Sequence, residues 1–171
     1  MPRMTTDERN SFLAEPGVLM RIATVLPDGS PLVTPIWYLF EEGAIWFTPR
    51  EKSEWFDNLR RDPRVCLSID EESMPYRKVL VQGSVELVAD IGRDDDWRDR
   101  YRRIACRYVD PVGAEAYIQA TLDQPRGLYR LATAQARVRC WRMPLPGEDY
   151  SGIWHSKYYR PGTQLKGGAD D

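Results

Sequence analysis

Histidine is almost absent from this 171-residue chain, whose one imidazole belongs to His155. A histidine-based zinc site or a Ser-His-Asp triad needs imidazoles that the chain does not have, so we predict no metal site and no triad hydrolase. Cysteine is also scarce, with three residues in no paired spacing: Cys66, Cys106 and Cys140. We interpret them as small buried residues of a protein in the reducing cytoplasm.

Excess charge of one sign and long apolar runs are missing as well. The 24 lysines and arginines nearly balance 26 aspartates and glutamates, which leaves no electrostatic basis for binding nucleic acid or an anionic membrane. No segment approaches the ~20 apolar residues of a transmembrane helix, and the first residues, MPRMTTDERNSF, lack the apolar run of a signal peptide. We therefore expect neither nucleic acid nor a membrane as a partner.

What the chain does contain suits one domain with a well-packed core. Hydrophobic residues make up 42% of it, and the six tryptophans favour aromatic walls in the core or a pocket. Alternating apolar and polar residues predict strands at 18–26, 32–40, 44–48, 65–69, 76–88 and 127–142. The pattern predicts a mainly β barrel or sandwich over residues 1–143, followed by an irregular arm, 144–171, of the same domain.

Helices are expected around this sheet. A capping box formed by Thr5 and Glu8 predicts a helix to about residue 15. Residues 94–108 predict a longer helix with one buried aromatic and aliphatic stripe, and we interpret its many arginines as a solvated face. A further helix is predicted at 111–122. In the second strand, Pro35 cannot donate to a ladder, so that strand must be bulged or have a free edge where a ligand could bind.

The segment 46–69, WFTPREKSEWFDNLRRDPRVCLSI, predicts a strand, a cationic turn, a short helix and a second strand. Arg50 and Lys52 lie in the turn, and Ser53 is placed to cap the helix. Because a helix start carries unpaired N–H groups and partial positive charge, the turn could bind an anion such as a cofactor phosphate. Two neighbouring glutamates weaken this argument, and a solvated turn beside an amphipathic helix is the alternative.

Three motifs in this order, RIATVLPDGSPLVTPIWY, IWFTPREKSEWFDNLRRDPRVCLSI and YRKVLVQGSVEL, resemble the pyridoxamine 5′-phosphate oxidase-like family. More closely, the chain is similar to flavin/deazaflavin oxidoreductases. The resemblance implies a six-stranded antiparallel split β-barrel of the FMN-binding type with peripheral helices, and a homodimer with its cofactor at the interface. The cofactor is expected to be FMN, or alternatively the deazaflavin coenzyme F-420. The function implied is hydride transfer to or from a small organic substrate, with a non-catalytic binding protein as the alternative.

The resemblance also implies where the cofactor lies. Arg50 and Lys52 are expected to bind the cofactor phosphate. The ring is expected to lie along 33–38 and 46–48, where Thr34, Thr48 and the backbone beside Pro35 would hydrogen-bond its edge. The expected cofactor-binding residues are Thr34, Pro35, Ile36, Trp37, Thr48, Arg50, Lys52, Asn58, Arg77 and Lys78. No protein nucleophile is required, and Tyr38, Tyr76 and His155 are the candidate proton donors.

The chain also departs from the oxidases. Its second strand, TPIWYL, lacks the two cations that help those enzymes hold the FMN phosphate, and no counterpart of their C-terminal substrate motif is recognisable. We therefore do not expect oxidation of pyridoxamine phosphate. A haem role would need an axial ligand, for which His155 is the only imidazole.

Overall fold

Two antiparallel sheets form the barrel in the computed structural model, which describes residues 2–148. The strands are β1 Met20–Val25, β2 Pro31–Ile36, β3 Leu39–Glu41, β4 Ala44–Phe47, β5 Arg64–Asp70, β6 Lys78–Ser84, β7 Glu86–Ala89, β8 Leu128–Ala132 and β9 Arg137–Trp141. The first sheet has the order β2-β1-β5-β6-β9 and the second has the order β3-β4-β8-β7. Every pairing is antiparallel, so the mainly β barrel is confirmed.

The strand count of six was wrong for the described residues, which contain nine strands. Three of the predicted strands, 32–40, 76–88 and 127–142, each divide in two: β2 and β3, β6 and β7, β8 and β9. In each case one half belongs to the five-stranded sheet and the other half to the four-stranded sheet. A strand that turns the corner between two packed sheets must interrupt its ladder at the bend, so one long sequence run becomes two short strands.

The helices lie around the two sheets. They are α1 Thr6–Ala14, α2 Glu54–Arg61, α3 Arg98–Cys106 and α4 Pro111–Gln119, with 3₁₀ turns at Asp94–Trp97 and Thr133–Gln135. The capping box of α1 is confirmed, because the Thr5 hydroxyl accepts from the Glu8 amide at 3.2 Å and the Glu8 carboxylate accepts from the Thr5 amide at 2.7 Å. The last turns of α1 bury Phe12 and Leu13 in the main core.

The start of α2 corrects one expectation. Ser53 is the N-cap residue, but its side chain does not accept from a helix amide. Its hydroxyl instead donates to the carbonyl of Arg50 at 2.6 Å and so closes the cationic turn. The amides of the first helical turn therefore have no side-chain cap.

The solvated arginine face predicted for 94–108 is confirmed at the exposed Arg103 but is wrong for Arg100 and for Arg107, which follows α3. Arg100 lies 3.7 Å from the centre of the Trp46 ring and pairs with Glu41. Arg107 donates to the carbonyls of Leu13, Ala14 and Glu15 at the end of α1. The predicted stripe on the opposite side is confirmed, with Trp97, Tyr101 and Ile104 buried. The helix is therefore fixed to the barrel on more than one side, which matters because it forms part of the site.

Two further expectations can be compared with the fold. β2 is an edge strand, so the free edge predicted from Pro35 is confirmed. Among the cysteines, Cys66 and Cys140 are half-buried, but Cys106 at the end of α3 is exposed, contrary to the prediction.

Some expectations reach beyond the described residues. The arm from residue 149 onward, with His155, lies outside them, so the domain boundary and the role of the arm stay predictions. Within residues 2–148, no helix is both long and apolar enough to cross a bilayer. The same part of the chain holds no group of three or more histidine, cysteine or acidic side chains placed for a metal ion.

Candidate functional site

A cavity of about 490 Å³ lies where the free edge of β2 faces the end of β4 and helices α3 and α4. β2 and the residue after it contribute Thr34, Pro35, Ile36 and Trp37, and the turn after β4 contributes Thr48, Arg50 and Ser53. The opposite side is formed by Tyr101, Ile104, Tyr117 and Arg126. The volume of the cavity falls within the range of small-molecule sites, roughly 300–1,000 Å³.

One wall of this cavity is aromatic. The Trp37 ring stacks on Tyr108 with centroids 5.1 Å apart and planes 4° from parallel. Tyr117 meets the Trp37 ring edge-on at 5.4 Å and the Tyr101 ring edge-on at 6.2 Å. The four rings come from the residue after β2, from α3 and the segment that follows it, and from α4, so their contacts hold both helices against the end of β2. The result is an apolar wall suited to a flat ligand.

Two arginines converge on one phenol at the base of the cavity. Arg50 donates from Nη2 to the Tyr117 hydroxyl at 2.9 Å, and Arg126 donates from Nη2 to the same oxygen at 3.3 Å. Arg126 also donates from Nη1 to the Thr48 hydroxyl at 3.4 Å, and its guanidinium lies 4.6 Å from the centre of the Tyr101 ring. We call Arg50, Arg126, Tyr117 and Tyr101 the arginine–tyrosine cluster.

The cluster carries positive charge that the described part of the chain does not neutralise. Arg126 is only 6% exposed, yet within residues 2–148 neither its guanidinium nor that of Arg50 forms an ion pair with a carboxylate. The Nε atoms of both arginines are buried with no hydrogen-bond partner. Buried donors and buried charges are normally partnered, so this set of atoms is suited to an anionic ligand.

The same charges act on the tyrosines. Burial by itself would raise the pKa of Tyr117, but the neighbouring Tyr101 hydroxyl and the positive charges of Arg126 and Arg50 outweigh it, so the pKa lies below its usual value of 10.0. For Tyr101, burial dominates and raises the pKa. The pKa values of these two adjacent phenols therefore differ, and Tyr117 is the one that more readily carries negative charge.

Local backbone contacts position the arginines. The amide of Gly127 donates to the carbonyl of Pro49 at 3.1 Å, and the amide of Glu51 donates to the carbonyl of Pro125 at 2.9 Å. These bonds hold the turn after β4 against the segment that enters β8, so that Arg50 and Arg126 lie side by side. The chain passes so close to α2 that a Cβ at Gly127 would lie 2.8 Å from Phe56 Cε2.

A second cleft adjoins the first on the outer side of the cationic turn. It has a volume of about 480 Å³ and is lined by residues 50–53 and 123–125. Arg50 and Ser53 line both spaces, whereas Lys52 lines only the outer cleft. Lys52 is exposed, and within the described residues it forms no ion pair.

The structure brings together most, but not all, of the expected cofactor-binding residues. Thr34, Pro35, Ile36, Trp37, Thr48 and Arg50 line the main cavity, and Lys52 lies beside it in the outer cleft. Asn58 does not reach either space. Its side chain is 1% exposed, donates to the Thr24 hydroxyl at 3.2 Å and accepts from Arg61, so it holds α2 against β1.

Arg77 and Lys78 also lie away from the cavity. Arg77 pairs with both Glu15 and Glu71 at 2.5–2.9 Å and lies 4.5 Å from the centre of the Phe12 ring. Lys78 begins β6, opposite Asp70 on one side and Trp141 on the other.

Two of the candidate proton donors, Tyr38 and Tyr76, do not line the cavity either, and the third, His155, lies outside the described residues. The Tyr38 hydroxyl donates to the carbonyl of Leu13 at 3.0 Å inside the core, and burial raises its pKa. Tyr76 is 41% exposed and does not line the cavity.

Sequence reasoning missed the far side of the cavity. Tyr101 was predicted as a core residue of its helix, and neither Tyr117 nor Arg126 was singled out. A signal for Arg126 was present, because it stands between Pro125 and Gly127 immediately before an apolar strand. Using that signal requires knowing that this strand pairs with β4, which places Arg126 opposite Arg50.

Comparisons with known proteins place this geometry in a family. A family model described as pyridoxamine 5′-phosphate oxidase matches residues 5–140, whereas no curated protein sequence matches the chain. A conserved hypothetical protein from Mycobacterium tuberculosis is 27% identical with a TM-score of 0.64, over 88% of this chain and 94% of that one. An F420 reductase is 29% identical with a TM-score of 0.52, over 71% and 90% of the two chains.

A heme storage protein from Vibrio cholerae shares the fold at 18% identity and a TM-score of 0.59, over 78% of this chain and 94% of that one. The split β-barrel expected from the sequence motifs is therefore confirmed. Because the family model spans the chain from α1 to β9, this protein belongs to the pyridoxamine 5′-phosphate oxidase-like family.

Proposed function

We propose that the protein is an oxidoreductase that binds FMN, with the deazaflavin coenzyme F-420 as the alternative, and acts on a small organic substrate. The observation that carries the proposal is the pair of arginines without counter-charges beside the free edge of β2 and an aromatic wall. The cofactor would supply hydride transfer. The chain itself would bind the cofactor, orient it and exclude water from the slot beside it.

The residues present fit such a cofactor. Arg50 and Lys52 lie on one turn, have no carboxylate partner within the described residues, and adjoin the uncapped start of α2. They would hold the phosphate of the cofactor tail, because an anion there gains two cations and helix amides. Thr34, Thr48 and the backbone beside Pro35 would hydrogen-bond the polar edge of the ring, and Trp37 would border the slot.

We further propose a cytoplasmic homodimer with the cofactor at the subunit interface. β2 is an edge strand, and its Val33 side chain is 59% exposed, which supports contact with a second copy. Asn58, Arg77 and Lys78 do not reach the cavity of their own chain. In this proposal, Lys78 would contribute across the interface, Arg77 would act by tying α1 to the loop before β6, and Asn58 would act by holding α2 and the cationic turn in place.

The first test is the visible absorption spectrum of the purified protein. Flavin or deazaflavin bands support the proposal, whereas a Soret band would indicate haem and a colourless protein that takes up neither FMN nor F-420 would contradict it. Reduction of the bound cofactor by NADPH or by reduced F-420 then separates an enzyme from a non-catalytic binding protein. A bound cofactor that no donor reduces and no substrate reoxidises would favour the binding protein.

The phosphate assignment has its own test. Arg50→Ala should weaken cofactor binding by about 10- to 100-fold, because each charge-assisted hydrogen bond contributes roughly 1.5–3 kcal/mol. Lys52→Ala should weaken it less, because Lys52 is exposed. Arg64→Ala, which removes an exposed arginine paired with Asp62, is the matched control and should leave cofactor affinity unchanged. Unchanged affinity in both Arg50→Ala and Lys52→Ala would show that the phosphate lies elsewhere.

A further inference from the structure

We propose that Arg126 and Tyr117 of the arginine–tyrosine cluster bind the carboxylate of a small organic acid with an apolar or aromatic body, and that such acids are the substrate class. This inference rests on the proposed function in calling the acid a substrate. The binding of the acid itself does not depend on a flavin. The phosphate of the proposed cofactor is assigned to the turn of Arg50 and Lys52, so the deeper side chains are left for a second anion.

The charge at the base of the cavity supports this assignment. Arg126 is almost fully buried, and its guanidinium donates only to the neutral hydroxyls of Thr48 and Tyr117. The nearby carboxylate of Asp94 accepts from the Arg126 backbone amide at 2.9 Å and forms no ion pair with the side chain. This bond fixes the backbone of Arg126 while its positive charge stays available to a ligand. A carboxylate is a natural partner for guanidinium groups, which can donate two parallel hydrogen bonds to it.

The hydrogen bonds of Tyr117 leave its proton free to bind the same carboxylate. Its oxygen accepts from both Arg50 and Arg126, so its lone pairs are occupied and its proton is available to an acceptor. One carboxylate could therefore receive hydrogen bonds from Arg126 and from Tyr117 together.

The lining around the cluster is mostly apolar and suits the body of an organic acid. The aliphatic side chains of Leu19, Ile36 and Ile104 and the rings of Trp37 and Trp55 surround the charged base. A hydrophilic anion such as inorganic phosphate would leave this lining uncovered, whereas an organic acid with an apolar body would cover it. Burial of that body supplies affinity, and the cluster supplies orientation.

The test is calorimetric titration of the full-length protein with benzoate and, separately, with inorganic phosphate. Each titration is done with the protein alone and with saturating FMN. We expect benzoate to bind in both cases, and Arg126→Met to weaken it by about 10-fold or more, the equivalent of one lost charge-assisted hydrogen bond. Tyr117→Phe should also weaken it, and its ring keeps the packing against Trp37. Arg130→Met, four residues along and paired with Glu86, is the matched control and should leave benzoate affinity unchanged.

The outcomes are separable from those of the proposed function. The inference would be overturned if benzoate did not bind, or if it bound to Arg126→Met as tightly as to wild type. A protein that binds inorganic phosphate but not benzoate would also overturn it. Loss of benzoate binding in saturating FMN would also overturn it, because the cluster would then hold the cofactor. A protein that binds benzoate through Arg126 but takes up neither FMN nor F-420 would support the acid site while contradicting the proposed cofactor.

Discussion

Arg77 and Arg126 are both largely buried arginines that pack over an aromatic ring, but they differ in what neutralises them. The Arg77 side chain is 25% exposed and pairs with the carboxylates of Glu15 and Glu71. Arg126 meets only neutral hydroxyls in the described part of the chain. A fully paired arginine ties α1 to the loop before β6, whereas an unpaired one faces a cavity. Counter-charges, rather than the residue type or a family motif, therefore distinguish a structural arginine from a binding arginine.

The largest effect that tests this comparison is expected at Arg77. Arg77→Met leaves two carboxylates without their cation and should lower the free energy of unfolding by about 2 kcal/mol, between the values for exposed and buried ion pairs. Urea unfolding measures this change. Arg64→Met removes an exposed pair with Asp62 and should change stability by less than about 0.5 kcal/mol. Equal stabilities of wild type and Arg77→Met would show that Arg77 is not a structural residue.

Acid should remove most of that difference. The hydrogen bonds from the Arg77 side chain are the largest cause of the lowered pKa of Glu71, which lies below its usual value of 4.5. Because the folded pKa is lowered, this contribution is present above pH 4.5 and is lost as the pH falls through the folded pKa. The stability difference between wild type and Arg77→Met should therefore shrink below that pH. The stability difference between wild type and Arg126→Met should not change over the same pH range. If it also shrank below pH 4.5, Arg126 would have a carboxylate partner.

A smaller effect of opposite sign is expected at Arg126. Arg126→Met removes a buried charge without a counter-ion, and should raise the free energy of unfolding of the cofactor-free protein by about 1 kcal/mol. The lost contact with the Tyr101 ring, worth roughly 0.5–1 kcal/mol, limits the gain. Urea unfolding measures this change in wild type, Arg126→Met and Arg126→Lys. The free energy of unfolding of the lysine variant should stay near that of wild type. A loss of more than about 1 kcal/mol in Arg126→Met would mark Arg126 as structural, like Arg77.

The smallest effect is on the ionisation of Tyr117. Its pKa lies below 10.0 partly because of the charge of Arg126. Arg126→Met should therefore raise this pKa by less than about one unit, since Arg50 still donates to the phenol. Ultraviolet titration of tyrosinate measures the shift, with Tyr117→Phe identifying the signal. Arg130→Met should not move it, and an unchanged curve in Arg126→Met would show that the two groups are not coupled.

Much of the fold could be predicted because it depends on local patterns. The capping box at Thr5 requires only residues three positions apart, and the buried stripe of α3 requires only helical periodicity. Pro35 indicated an edge strand because a proline lacks the donor that a central strand needs. The strand count failed, since the bends at Trp37, Val85 and the turn after β8 depend on which sheet each half joins.

The near side of the site was accessible for the same reason, and the far side was not. Arg50 and Thr48 follow one strand within a short motif, so the turn could be recognised from contiguous residues. Tyr117 and Arg126 are far from that turn in sequence and reach it only through the pairing of β4 with β8 and the packing of α4. Asn58 was wrongly placed at the cavity because it belongs to a recognisable motif. The motif does not show that its side chain hydrogen-bonds Thr24 instead.

The sequence alone determined the family, the mainly β class and the cationic turn, since these rest on residue types at short spacing. It also ruled out a histidine-based chemistry for residues 2–148, which contain no histidine. Tertiary structure alone decided which arginines are neutralised and which face the cavity. An ion pair or a converging phenol depends on distances of a few ångströms between residues far apart in the chain, and such distances exist only once the sheets and helices have packed.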